Sequence, residues 1–126
     1  MKFQGIYTPV ITTFDSAGNI DYQAWQQVLD KQIESGVHGL IIGGSTGEFY
    51  GMTKAERLEQ FAFANEYIAG RVPWIAGVND MLATEAYQYA AAAKAAGADA
   101  LLVAAPPYSL PDEQELAQHI IRIDQA

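Results

Sequence analysis

There is no cysteine in this chain, so disulfide bridges and thiolate metal sites are excluded at once. Basic residues are scarce too. Seven lysines and arginines stand against fifteen aspartates and glutamates, a formal charge of −8. The acidic residues are scattered rather than blocked, which favours solubility and argues against nucleic acid or an anionic membrane surface as a partner. An anionic substrate would have to be captured by local donors, because the overall field repels it. No apolar run approaches membrane-spanning length, and the stretch before Pro9 is too short for a secretion signal. A cytoplasmic location is therefore expected. His38 and His119 are the only histidines, and neither has ligand spacing with another, so no metal site is expected.

Half of the 126 residues are apolar, enough for one sizeable core, and residues 1–126 read as a single unit. Strand-like and helix-like segments alternate along it. A strand over Ile6–Thr12 is followed by the turn Asp15-Ser16-Ala17-Gly18-Asn19 and a helix from Asp21 to Ser35, stopped by Gly36. A second strand spans Val37–Ile42. Thr53 and Glu56 have the spacing of a capping box, in which hydroxyl and carboxylate satisfy exposed N–H groups of the first turn of a helix running to about Ala69. Val72–Val78 is a third strand, and an alanine-rich helix from Thr84 to Ala96, stopped by Gly97, leads to a fourth strand over Ala100–Ala104. A second box-like start, Asp112 with Glu115, opens the last helix after Pro111.

The segment Gly36-Val37-His38-Gly39-Leu40-Ile41-Ile42 recurs in type as Gly97-Ala98-Asp99-Ala100-Leu101-Leu102-Val103, two strand–helix units later. Repeated βα units imply a parallel sheet, because each helical crossover returns the chain to start a strand in the same direction. Four such units are half of a (βα)₈ TIM barrel, which typically needs about 250 residues. The expected fold class is thus α/β, a truncated or half barrel, with a small open α/β domain carrying helices on both faces as the alternative.

In a parallel barrel the chemistry sits at the carboxyl ends of the strands, on the βα loops. The most informative of these loops follows the apolar run Leu40-Ile41-Ile42. Gly43-Gly44-Ser45-Thr46-Gly47-Glu48 presents two adjacent hydroxyls in a glycine-rich turn whose N–H groups can converge on a small carboxylate. The same residue types also build plain turns and caps. None of Lys2, Lys31, Lys54 and Lys94 falls at a strand's carboxyl end, and all four are expected to be solvated. Tyr87 and Tyr89, set among alanines, read as helix packing.

Gly43–Glu48 resembles the signature of the pyruvate-dependent class I aldolases and lyases that include dihydrodipicolinate synthase and N-acetylneuraminate lyase. Thr8-Pro9-Val10 with Thr12-Thr13-Phe14, Ile75-Ala76-Gly77-Val78 and Ala105-Pro106-Pro107-Tyr108 agree in type and order, so the similarity covers essentially the whole chain and corresponds to the first half of a family member. The resemblance implies a TIM barrel, an imine formed between a lysine and a keto acid such as pyruvate, and an aldehyde as the second substrate, with no cofactor and no metal. It also implies a homo-oligomer built on a tight dimer. By the same resemblance Ser45 and Thr46 bind the keto-acid carboxylate, with Gly44 and Gly47 allowing close backbone approach. Ser45 further joins a hydroxyl relay, and Tyr108 serves the relay of a neighbouring subunit. Pro107 departs from the family, where many members have a second tyrosine. The imine lysine and the relay tyrosine before it belong to strands that would follow Ala126, so the chain by itself is expected to lack the chemistry. A sugar-acid lyase, a non-catalytic half-barrel and a small-carboxylate-binding module are the other functions this sequence admits.

Overall fold

Three of the four helices begin at side chains that cap them. A computed structural model describes residues 3–126. Asp21 accepts from the Ala24 N–H at the start of α1 (Tyr22–Glu34), and capping boxes are formed by Thr53 with Glu56 before α2 (Lys54–Ile68) and by Asp112 with Glu115 before α4 (Glu113–Asp124). Each box satisfies N–H groups that the helix itself cannot. The fourth helix, α3 (Ala83–Ala96), has no side-chain cap and ends at Gly97 in the left-handed region.

Between the helices lie β1 (Tyr7–Pro9), β2 (Gly39–Ile42), β3 (Trp74–Gly77) and β4 (Ala100–Leu102). They form one parallel sheet in the order β1-β2-β3-β4. Every strand is shorter than its apolar run suggests, although parallel bonding continues one residue past β1 and β3, from the Val10 N–H to the Ile41 carbonyl and from the Val78 N–H to the Leu102 carbonyl. At the end of the fourth strand Ala104 instead donates its N–H to Asn79 Oδ1.

The register sorts the side chains into two faces. Leu40 pairs with Trp74 and Ile42 with Ala76, and these four are at most 2% exposed. They share a core with Trp25 and Leu29 of α1, Phe61, Ala64 and Ile68 of α2, Ala86, Tyr89, Ala90 and Ala93 of α3, and Ile123 of α4. Burying each large apolar side chain contributes about 1.5–3 kcal/mol, so this layer dominates the stability of the fold. The opposite face, with Pro9, Ile41, Ile75 and Ala100 in one row, has no helix over it and stays partly or fully exposed. Helices on one face only, over an all-parallel four-stranded sheet, are the first half of a TIM barrel and not the open domain with both faces covered.

Among the described residues no helix is long and apolar enough to cross a membrane. Lys2 lies outside the described residues. Lys31 and Lys94 are exposed on α1 and α3. Lys54 is also exposed, as expected, and from the surface it pairs with Glu85 at 2.8 Å and bonds Gln88, joining α2 to α3.

Candidate active site at the carboxyl ends of the strands

At the end of β2 the chain makes two successive 3₁₀ turns, Ser45–Gly47 and Phe49–Gly51, the first preceded by Gly44 in extended conformation. The first turn closes on itself through Gly47 N–H to Gly44 O and Glu48 N–H to Ser45 O. As at the start of any helical turn, the N–H groups of Ser45 and Thr46 have no carbonyl of their own turn to bond. Both hydroxyl residues are exposed, whereas Gly44 and Gly47 are buried beneath them. A side chain at Gly44 would meet Ile41 Cγ2 and Leu102 Cδ2 at 3.8 Å, so the turn stands at the rim of the uncovered sheet face. Glu48 sits in the left-handed region at φ 59° and is exposed, a loop corner rather than a buried acid or base.

Close backbone approach explains the glycines. A Cβ at Gly77, the last residue of β3, would lie 2.3 Å from the Gly43 carbonyl oxygen, and one at Gly47 would lie 2.9 Å from the Val10 carbonyl oxygen. Ordinary side chains cannot be inserted at either contact. The turn is thereby pressed against the ends of both neighbouring strands.

Below the turn lies a polar layer that reading the sequence missed. Thr12 Oγ1 donates to the Gly47 carbonyl at 2.7 Å, and Gln60 Nε2 donates to the same hydroxyl at 2.9 Å. Arg57, only 1% exposed, donates from Nη2 to the Gly77 carbonyl and from Nη1 to the Asn79 carbonyl, each at 2.9 Å. Asp80 lies 3.4 Å from Nη1. The guanidinium carbon stands 3.7 Å over the Tyr89 ring centroid and 5.1 Å from that of Phe49. Burial pulls the Arg57 pKa down, an effect opposed by Tyr89 and Asp80. A signal for this layer was present: Arg57 and Gln60 share the spacing of Phe61, Ala64 and Ile68, the inward stripe of α2. A polar residue on such a stripe has to find partners inside.

Tyr108 lies on the loop after β4, at the same end of the sheet, yet it is 92% exposed. The structure does not pack it against the rest of the chain. Its φ of 65° is left-handed, a strained value for an aromatic residue. Tyr87 and Tyr89 do pack on helices, although Tyr89 also carries the arginine. His38 lies at the opposite end of the sheet, where Nδ1 accepts the Ile6 N–H at 3.0 Å. His119 is 7% exposed against Tyr87. Among the described residues no group of three or more His, Cys, Asp or Glu side chains is placed to hold a metal. A concavity of about 740 Å³ lies away from the turn, between α3 and α4, and is lined by Tyr87, Ser109, Gln118, His119 and Arg122 among others.

The chain matches the model of the dihydrodipicolinate synthetase family over residues 2–126. It is 38% identical to a 4-hydroxy-tetrahydrodipicolinate synthase of Stenotrophomonas maltophilia, a similarity covering 94% of this chain and 40% of that protein. The chain thus spans about 40% of the length of the curated relatives it matches. Among solved structures it is similar to YagE of E. coli K12, a prophage protein of the dihydrodipicolinic acid synthase family in complex with pyruvate. The TM-score is 0.94 and the identity 32%, over 98% of this chain and 41% of that one. CdNal of Clostridium difficile, in complex with mannosamine, superposes with a TM-score of 0.95 at 28% identity, over 99% of this chain and 43% of that one.

Proposed function

The chain belongs to the dihydrodipicolinate synthetase family, and from that membership we propose that it supplies the first four βα units of a class I keto-acid aldolase or lyase, in kind a 4-hydroxy-tetrahydrodipicolinate synthase. The observation that carries this reading is the Gly43–Glu48 turn, which stands at the carboxyl end of β2 in a chain 38% identical to such a synthase. The activity belongs to an eight-unit barrel of which these residues are half.

In that barrel a lysine supplied by the other units attacks the carbonyl carbon of pyruvate. Water leaves, the protonated imine acts as the electron sink, and loss of a proton gives an enamine that adds to an aldehyde; the lyase direction runs in reverse. No metal or cofactor is required for these steps. Ser45 and Thr46 hold the carboxylate through hydroxyl and backbone N–H groups, fixing the carbonyl carbon at a set distance from the lysine. Gly44 keeps the backbone open to the ligand on the uncovered sheet face, whereas Gly47 lets the turn press against the Val10 carbonyl. Ser45 also passes protons in the hydroxyl relay, and Tyr108 reaches into the relay of a neighbouring subunit across a tight dimer. Its exposure and its strained backbone suit a residue that finds its partner on another chain. This reading makes the enzyme a cytoplasmic homo-oligomer acting on small molecules, without nucleic acid or membrane partners.

A sugar-acid lyase is the second reading, favoured by the likeness to CdNal, whose structure holds the sugar mannosamine. Both readings share the imine. Incubation with pyruvate and borohydride, followed by mass spectrometry, tests it. The completed barrel should gain one reduced pyruvate adduct, whereas the 126-residue chain should gain none on Lys2, Lys31, Lys54 or Lys94. A completed barrel that resists trapping would overturn the reading. Product analysis with an aldehyde of the lysine pathway against N-acetylmannosamine separates the two reactions.

A further inference from the structure

Arg57 has an unusual set of neighbours for a helix residue, because they come from successive loops of the catalytic end. Phe49 belongs to the segment after β2, directly beyond Ser45, Thr46 and Glu48, and lies 5.1 Å from the guanidinium carbon. The Gly77 and Asn79 carbonyls that accept from Arg57 end β3 and begin the loop after it. Asn79 in turn accepts the Ala104 N–H at Oδ1, 2.6 Å away, at the start of the loop that carries Tyr108. Asp80 faces Arg57 through Oδ2 while its Oδ1 accepts the Leu82 N–H just before α3. One buried cation therefore touches two loops and, through Asn79, a third.

We infer that Arg57 is a positioning residue, which sets the loops after β2, β3 and β4 in mutual register so that the carboxylate-binding turn and the Tyr108 loop are held at fixed separation. The planar guanidinium suits this role: it stacks on Tyr89 while its two terminal nitrogens donate in different directions. A lysine at the same place could supply the charge but not the stack together with two carbonyl contacts. Leaving carbonyls of Gly77 and Asn79 without a donor frees the ends that Arg57 ties. The structural part of the inference stands on the loops alone, whereas its consequence for catalysis rests on the function proposed above.

Amide hydrogen exchange on the completed barrel, recorded without any substrate, tests the register. Arg57→Met and Arg57→Lys should each speed exchange at the Ala104 N–H by at least about tenfold, approaching Asn79→Ala, which removes the acceptor itself. The Leu40 and Val10 N–H groups, which bond Pro73 and Ile41, should keep their rates. An unchanged Ala104 rate in either variant overturns the inference. So does equal acceleration of Ala104, Leu40 and Val10, since Arg57 would then only stabilise the core. If Arg57→Met fails to fold, Arg57→Lys decides by the same comparison, and loss of fold in both also overturns it. In the completed barrel Arg57→Lys should raise the pyruvate KM about tenfold with a smaller change in kcat, the signature of a displaced binding turn. A barrel still trapped by pyruvate whose KM and kcat are unaffected overturns the catalytic consequence, whereas absence of trapping in the parent barrel condemns the functional reading and leaves the exchange result standing.

Discussion

Thr12 and Gly47 are joined by a buried 2.7 Å hydrogen bond from the threonine hydroxyl to the glycine carbonyl, which ties the segment after β1 to the turn after β2. Gln60 completes the link by donating to the same hydroxyl. Thr12→Val keeps the shape but removes both partners, leaving the Gly47 carbonyl and the Gln60 amide unpaired. Each group left unpaired in a dry site costs about 1–3 kcal/mol. The urea midpoint should fall accordingly with the slope unchanged. A midpoint equal to that of the parent would mean that water reaches these groups.

The contact between Gly77 and Gly43 makes a second prediction, about stability. Gly77→Ala puts a methyl 2.3 Å from the Gly43 oxygen and 2.9 Å from the Gly44 nitrogen, backbone atoms that can yield only by parting the strand ends. The expected loss is about 1–3 kcal/mol, the usual range for overpacking. Gly51→Ala is the control, since nothing lies within 4 Å of that position. It should be neutral or slightly stabilising through the unfolded chain. Equal effects at the two sites would refute the packing argument.

Ser45 and Thr46, proposed above to bind the keto acid, allow binding and folding to be tested apart. Both are exposed, so Ser45→Ala and Thr46→Val should leave the melting of the chain within about 0.5 kcal/mol of the parent. In the completed barrel the same changes should weaken keto-acid capture by about 1.5–3 kcal/mol for each charge-assisted bond lost. Steady-state kinetics with pyruvate, read alongside a thermal melt, would show a stability effect without a binding effect if the pair were only a turn.

What could be read from the sequence was what neighbouring residues decide among themselves. Thr53 with Glu56 and Asp112 with Glu115 lie within one helical turn of the groups they cap, and both boxes were legible from spacing alone, whereas Asp21, read as the first residue of α1, proves to be its cap. The alternation of units and the glycine-rich turn at Gly43–Glu48 were legible for the same reason. The end of the fourth strand was not, because the Ala104 N–H is claimed by Asn79, 25 residues away along the chain. Arg57 and Gln60 were overlooked because their partners are 20 to 48 residues distant, so only their place on the apolar stripe of α2 betrayed them. The pairing of Lys54 with Glu85 belongs to the same class, since it needs α2 and α3 side by side.

Titration should shape stability at both ends of the pH scale. Burial, then the charges of Glu59 and Glu56, push Tyr22 from 10.0 to about 12. Its folded pKa is raised, so its contribution is complete below 10.0 and is lost as pH climbs toward about 12. Tyr22→Phe should therefore flatten the alkaline limb of a pH–stability curve. On the acid side Asp30 is lowered from 3.8, first by the Tyr67 hydroxyl and then by Arg71, and Glu56 from 4.5 by the Thr53 hydroxyl and N–H. These depressed carboxylates stabilise the fold above their ordinary values, and that contribution fades as pH falls below them. Asp30→Asn should flatten the acid limb. Denaturation curves in which neither variant alters its limb would contradict these assignments.

The last prediction concerns the uncovered sheet face. The strand order β1-β2-β3-β4 does not close, so β1 and β4 are both edges. Along the face without helices, Ile11 is 48% exposed and Leu102 39%, next to partly exposed Ile41 and Ile75. Open parallel edges flanking an apolar surface favour pairing with another chain. Taken alone the 126-residue chain should therefore sediment heavier than its 13.7 kDa, or aggregate. Completing the barrel should cover the face and leave only the dimer contact proposed for Tyr108. Tyr108→Phe would then leave that dimer largely intact, whereas Leu102→Lys should suppress association of the isolated chain by placing a charge on the apolar face. Sedimentation equilibrium measures both. A folded monomer over a wide concentration range would mean that the exposed face is stable in water without a partner, and the assembly argument would fail.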